Sequence, residues 1–160
     1  MNKAAEIAIV ACGGAFGAVC RGLLGDLFKK YVTGWTEGAT LIVNAVGCLI
    51  MGILQAVLCA KKCSPAWLRP LLCVGLCGAL TTFSSLAWET LKLALGKDHP
   101  ALRACINIVA NLIVGAAAVC LGYFPANHLM SSSSSDDGCS SNDGQDGDAC
   151  MLDDLDNVVQ

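Results

Sequence analysis

The sequence predicts an all-α membrane protein of four transmembrane helices, the third of them broken near Gly78–Ser85. Three observations carry this prediction. The 160 residues are 55% hydrophobic and 14% charged, with a mean hydropathy of +0.61, whereas a soluble domain is normally about 25% charged. Four apolar runs, at roughly residues 4–27, 39–60, 66–95 and 101–124, each reach the ~20 residues that a helix needs to cross the hydrocarbon core. The third run is interrupted by Gly75-Leu76-Cys77-Gly78-Ala79-Leu80-Thr81-Thr82-Phe83-Ser84-Ser85. Lipid offers the backbone no hydrogen-bond partner, so two glycines and four hydroxyl residues at that depth indicate a discontinuous helix that lines a cavity or holds an ion.

Span one carries Gly13, Gly14, Gly17, Gly22 and Gly25. Its small-xxx-small spacings suit close packing of membrane helices. It is too long for a cleavable signal and is expected to remain as an anchor. Gly47 and Gly52 in span two, and Gly115 with three alanines in span four, repeat the packing pattern. Gly75 and Gly78 are set apart from it because they adjoin the hydroxyl cluster. Pro65 and Pro70 suit the start of span three, and Pro100 opens span four. Short loops make successive spans antiparallel, so both termini share one side.

Residues 1–128 form one four-helix domain in this reading, and 129–160 a disordered acidic Ser/Asp-rich tail. The tail from Ser131 holds eight of the thirteen acidic residues and no Lys or Arg. The preceding residues therefore carry ten basic against five acidic groups. That basic excess suits contact with anionic lipid headgroups, and no nucleic-acid partner is expected. Eight of the eleven cysteines fall within the spans, where a thiol packs as a small hydrophobe. No paired CxxC motif occurs, and His99 and His128 are isolated, so neither a disulfide framework nor a thiolate metal site is expected.

Loop charge gives almost no orientation bias. Lys3, Lys61, Lys62 and Arg69 lie on the side of the termini, against Lys29, Lys30, Lys92, Lys97 and Arg103 opposite. A clear excess of basic residues normally sets topology. Without it the chain can insert both ways and pair as an antiparallel dimer, unless the tail or another factor imposes one orientation.

The polar residues inside the spans are mostly neutral. Asn44 lies well inside span two and needs a partner; its amide can bond a neighbouring helix or donate to an anion. Asn107 and Asn111 are four residues apart and share a face of span four. Thr81, Thr82, Ser84 and Ser85 add hydroxyls, and Phe83 offers a ring edge of positive partial charge. Arg21 either snorkels to headgroups or stands at the mouth of a path and attracts anions. Glu6 and Glu89 fall near predicted ends. No mid-membrane carboxylate of the kind a proton-coupled exporter needs is therefore expected. A neutral, donor-rich lining framed by positive charge favours an anion.

Three runs, Gly13-Gly14-Ala15-Phe16-Gly17-Ala18-Val19-Cys20-Arg21, Thr40-Leu41-Ile42-Val43-Asn44-Ala45-Val46-Gly47 and Gly75 to Ser84, resemble the CrcB/Fluc-type fluoride channels. The resemblance covers all four spans in order and leaves the acidic tail outside. It implies a passive, fluoride-selective channel in the plasma membrane (the inner membrane of a Gram-negative cell) that exports fluoride entering as hydrofluoric acid. It further implies a dual-topology antiparallel homodimer, or pairing with a homologous subunit, with two fluoride pores and a structural Na+ at the dimer interface. By position, Gly78 and Thr81 would offer backbone carbonyls to that sodium. Asn44 would bond fluoride, Phe83 would present its ring edge, and Arg21 would serve the vestibule. Thr82, Ser84, Ser85, Asn107 and Asn111 would line the polar path, Asn111 in place of a hydroxyl residue. Two positions depart from the pattern: Leu86 stands where a second pore-lining Phe is expected, and Ala39 where a glycine precedes Thr40. The competing readings are a small four-helix multidrug-type exporter and a membrane scaffold whose acidic tail recruits a partner.

Overall fold

The computed structural model describes residues 2–31, 38–60 and 65–133, and among them forms helices and turns without a strand. The order is α1 (Lys3–Tyr31), α2 (Gly38–Ala60), a π-helical segment (Pro70–Cys77), α3 (Gly78–Leu80), α4 (Phe83–Ala94) and α5 (Pro100–Ser133). Four stretches are long and apolar enough to cross a membrane: Lys3–Phe28, Gly38–Ala60, Pro70–Ala94 and Pro100–Met130. The chain is thus built as a multi-pass membrane protein, as its composition predicts.

Packing follows the glycines. α2 lies along α5, α1 lies along the π-helical segment, and α4 rests on α5. In the α1 seam, side chains added at Gly13 and Gly17 would run into the carbonyls of Leu71 and Leu76. A Cβ on Gly75 would stand 2.8 Å from the Val10 carbonyl oxygen. The α2–α5 seam is built the same way, with Gly52 against the Val119 carbonyl and Gly122 against that of Leu49. Backbone cannot retract as a side chain can, so these contacts exist only because Cβ is missing. Gly75 is therefore a packing glycine after all, and its separation from the others on sequence grounds does not hold. Inside the seams sit Val43, Ala56, Leu58, Cys77 and Leu80.

The break in the third span is narrower than the glycine-and-hydroxyl run suggests. Gly78 has ordinary helical angles, φ −62° and ψ −34°. The chain leaves the helix at Thr81 (φ −77°, ψ 154°) and Thr82 (φ −149°, ψ 115°), both extended, and re-enters at Phe83. Thr82 caps α4: its hydroxyl accepts the Ser85 N–H at 3.3 Å, which satisfies one of the orphan donors of the first turn.

α5 is longer than the sequence suggests. It continues through Pro125 to Ser133, although the proline removes the N–H that would meet the Leu121 carbonyl. The boundary drawn at residue 128 therefore falls inside a helix. The rest of the predicted tail, 134–160, and loop residues 61–64 lie outside the described residues.

Candidate functional site

The extended step at Thr81–Thr82 collects the polar side chains of three elements. In a continuous helix the Thr82 N–H would bond the Gly78 carbonyl. Here the Asn44 carboxamide oxygen takes it at 2.9 Å. Asn44 then donates its Nδ2 to Asn111 Oδ1 at 3.1 Å. Asn111 donates in turn to the Asn107 backbone carbonyl at 3.0 Å and, more weakly, to Asn107 Oδ1 at 3.4 Å. Asn107 Nδ2 reaches Thr90 Oγ1 at 2.9 Å. The three predicted asparagines thus form one connected chain, with Thr82 at one end and Thr90 at the other. Burial is deep at Asn111 and Thr82. Such polar groups are tolerated in a membrane span when each finds a partner.

Beside this chain lies a cavity of about 260 Å³. α1 contributes Arg21, Gly22, Gly25 and Asp26; α2 contributes Ala39, Thr40 and Val43. The break and α4 complete it with Thr82, Ser85, Trp88, Glu89 and Lys92. Arg21, Thr82 and Ser85 are therefore brought to one space. Around the Thr82 hydroxyl, Ser84 Oγ lies at 3.1 Å, and Thr82 Oγ1 donates to Ser85 Oγ at 3.3 Å. The Thr40 hydroxyl donates to Glu89 Oε1 at 2.5 Å, and Lys92 Nζ stands 5.2 Å from the centre of the Trp88 ring. Two cations and two carboxylates share the walls. Beside the positive charge that the sequence leads one to expect, Asp26 and Glu89 stand with Arg21 and Lys92.

Gly22 and Gly25 do not pack. No heavy atom lies within 4 Å of where their Cβ atoms would stand, so the packing reading fails for these two and their missing side chains widen the cavity. Phe83 is not gathered with the others. It is 82% exposed, and Gly78 and Ser84 are exposed as well. Leu86, at the position of the expected second aromatic, is buried inside the chain. Among the described residues no group of three or more His, Cys, Asp or Glu could hold a metal ion.

Thr40, Thr90 and Asp26 are site residues that the sequence does not single out, and Glu89 stands out there only as an acid near the end of its span. A signal for Glu89 was present. Thr82, Ser85, Glu89 and Lys92 follow helical spacing and make one polar stripe on α4. Thr90 had none, because its partner is on α5.

The family description "CrcB-like protein, Camphor Resistance (CrcB)" matches residues 8–123, which take in all of the cavity and the break. A protein of Methanopyrus kandleri named fluoride-specific ion channel FluC is 42% identical over 128 residues, 79% of this chain and 92% of that protein. A protein of the same name from Thermococcus kodakarensis is 39% identical over 127 residues, 79% of this chain and 98% of the relative. Another, from Sulfurihydrogenibium, is 38% identical over 104 residues, 64% of this chain and 82% of the relative. On the extent of these matches, the chain belongs to the CrcB-like protein family.

Proposed function

We propose that this chain conducts fluoride passively and selectively across the plasma membrane, relieving fluoride toxicity by export. The observation that carries the reading is the cluster of neutral donors at the helix break, opening on a cavity with Arg21 in its wall. The names of the relatives point to the same ion. Fluoride is small and strongly hydrated, so a path for it must replace water with donors that hold it only loosely. The hydroxyls of Ser84 and Ser85 are such donors, as is the second Nδ2 hydrogen of Asn44, the first being given to Asn111. Arg21 draws the anion into the cavity. Asn107 and Asn111 stand behind Asn44 in the same hydrogen-bonded series, and Phe83 offers its ring edge where a second chain encloses it.

The unit that functions is a dual-topology antiparallel dimer, of two identical chains or of this chain with a homologue. Support comes from the balanced loop charges and from exposure at the break. Gly78, Phe83 and Ser84 are all exposed there, and polar groups at a helix break are not left facing lipid. A structural Na+ fits the same place. Diversion of the Thr82 N–H to Asn44 leaves the Gly78 carbonyl without its helical partner, and the extended Thr81 turns its own carbonyl out of the helical ladder. Those two carbonyls would hold the ion, which would neutralise their partial charge.

The test is anion efflux from liposomes holding the purified full chain. Fluoride is expected to leave far faster than chloride, with no requirement for a proton gradient. Equal rates for the two ions, or dependence on the gradient, would defeat the reading in favour of an exporter.

A further inference from the structure

The asparagine chain has a direction, and that direction assigns roles. Four consecutive bonds run from the Thr82 N–H through Asn44, Asn111 and Asn107 to the Thr90 hydroxyl. A carboxamide has an accepting and a donating end, so each member dictates the orientation of the next. The backbone carbonyl of Asn107 cannot turn round. By accepting from Asn111 Nδ2 it points Asn111 Oδ1 at Asn44. Asn44 must then present its Nδ2 to Asn111 and its oxygen to Thr82. Were Asn44 reversed, its NH2 would meet the Thr82 N–H, donor against donor, in a buried place where an unmade bond is costly.

The chain also closes a mechanical loop. It leaves α4 at its cap, Thr82, crosses to α2 at Asn44 and to α5 at Asn111 and Asn107, and returns to α4 at Thr90. Both ends of the loop lie on the helix that carries Phe83, Ser84 and Ser85. Asn111 is 6% exposed with both ends of its amide occupied by protein.

We infer that Asn111, Asn107 and Thr90 are positioning residues, forming a brace that acts on conduction through Asn44 and the helix break rather than by touching the anion. The inference rests on the reading of Asn44 as part of the fluoride path. It assigns to Thr90 a function where the sequence shows only a hydroxyl on a helix.

A double-mutant comparison of initial fluoride efflux and of the fluoride-to-chloride ratio, in liposomes with the full chain, tests it. Asn111→Leu and Thr90→Val should each slow fluoride about tenfold, the scale of one lost buried hydrogen bond, and should lower the ratio. Thr90→Ser, which keeps the acceptor, should stay within about twofold of the parent. The decisive variant is Asn44→Ala combined with Asn111→Leu, expected to conduct like Asn44→Ala alone because the brace then has nothing to hold. Should Asn111→Leu not fold, Asn44→Ala with Thr90→Val makes the same comparison. Independent, multiplying losses would show direct anion contact and overturn the brace, as would Thr90→Val conducting at the parental rate. Parental conduction by Asn44→Ala would remove the pathway reading itself, and the brace with it.

Discussion

Arg21 and Phe83 show how far one side chain's role depends on what surrounds it. Arg21 reaches a cavity whose other charges are Asp26, Glu89 and Lys92, so its attraction for an anion acts within a nearly balanced field. Arg21→Gln should therefore slow fluoride entry severalfold at low ionic strength. The loss should shrink in 1 M salt, where the screening length falls to about 3 Å. Flux measured at the two salt concentrations checks this, and a loss independent of salt would assign Arg21 to direct contact instead. Phe83 carries no packing load within its own chain, being 82% exposed. Phe83→Leu should leave the fold of the single chain intact and reduce fluoride flux, since leucine fills space without a positive ring edge. Flux at the parental level from a well-folded Phe83→Leu protein would make the ring a lipid or dimer contact only. Leu86 is the reverse case. Its side chain is buried, so introducing phenylalanine there overfills the interior, at a typical cost of about 1–3 kcal/mol, before any pore effect can be read.

The glycines divide into two kinds at the scale of the helix. Gly52 faces the Val119 carbonyl and stands, at its missing Cβ, 2.9 Å from the Tyr123 backbone nitrogen. Gly52→Val should separate α2 from α5 and lower the thermal midpoint of the detergent-solubilised protein, with a loss of about 1–3 kcal/mol or more. Gly22→Ala meets nothing within 4 Å. It should raise the midpoint slightly, because alanine is about 1 kcal/mol better than glycine inside a helix, while narrowing the cavity. The pair measured together separates packing from lining: equal destabilisation by both would contradict the division. The break itself belongs to this scale. Thr82 caps α4 and donates its own N–H to Asn44, so one residue both starts a helix and ends the continuity of the span.

For the whole molecule, the exposed residues at the break call for a covering surface. Gly78, Phe83 and Ser84 are exposed, in a span long and apolar enough to cross a membrane. An antiparallel second copy would cover them while reusing the same residues. Single-cysteine labelling in the Lys61–Pro65 loop, on a cysteine-free background, should then give partial accessibility from each side of the membrane. Labelling from one side alone would exclude dual insertion, and the balanced loop charges would need another explanation.

Four spans, the polar interruption, and the roles open to Arg21 and Asn44 were legible in the amino-acid order. Span length and hydropathy are local properties, and an amide or a run of hydroxyls in lipid is conspicuous wherever it lies. Even the α4 stripe of Thr82, Ser85, Glu89 and Lys92 could have been counted from helical spacing. What only the tertiary structure decided was which residues meet. Gly75 and Gly22 are indistinguishable as letters, yet one touches the Val10 carbonyl and the other faces open space. Asn44 was an amide in need of a partner, and only the crossing of α2, α4 and α5 made that partner the Thr82 N–H on one side and Asn111 on the other. Hydrogen-bond demand is written in each residue separately. Its satisfaction is set by contacts across tens of positions in the chain, and those exist only once the helices have packed.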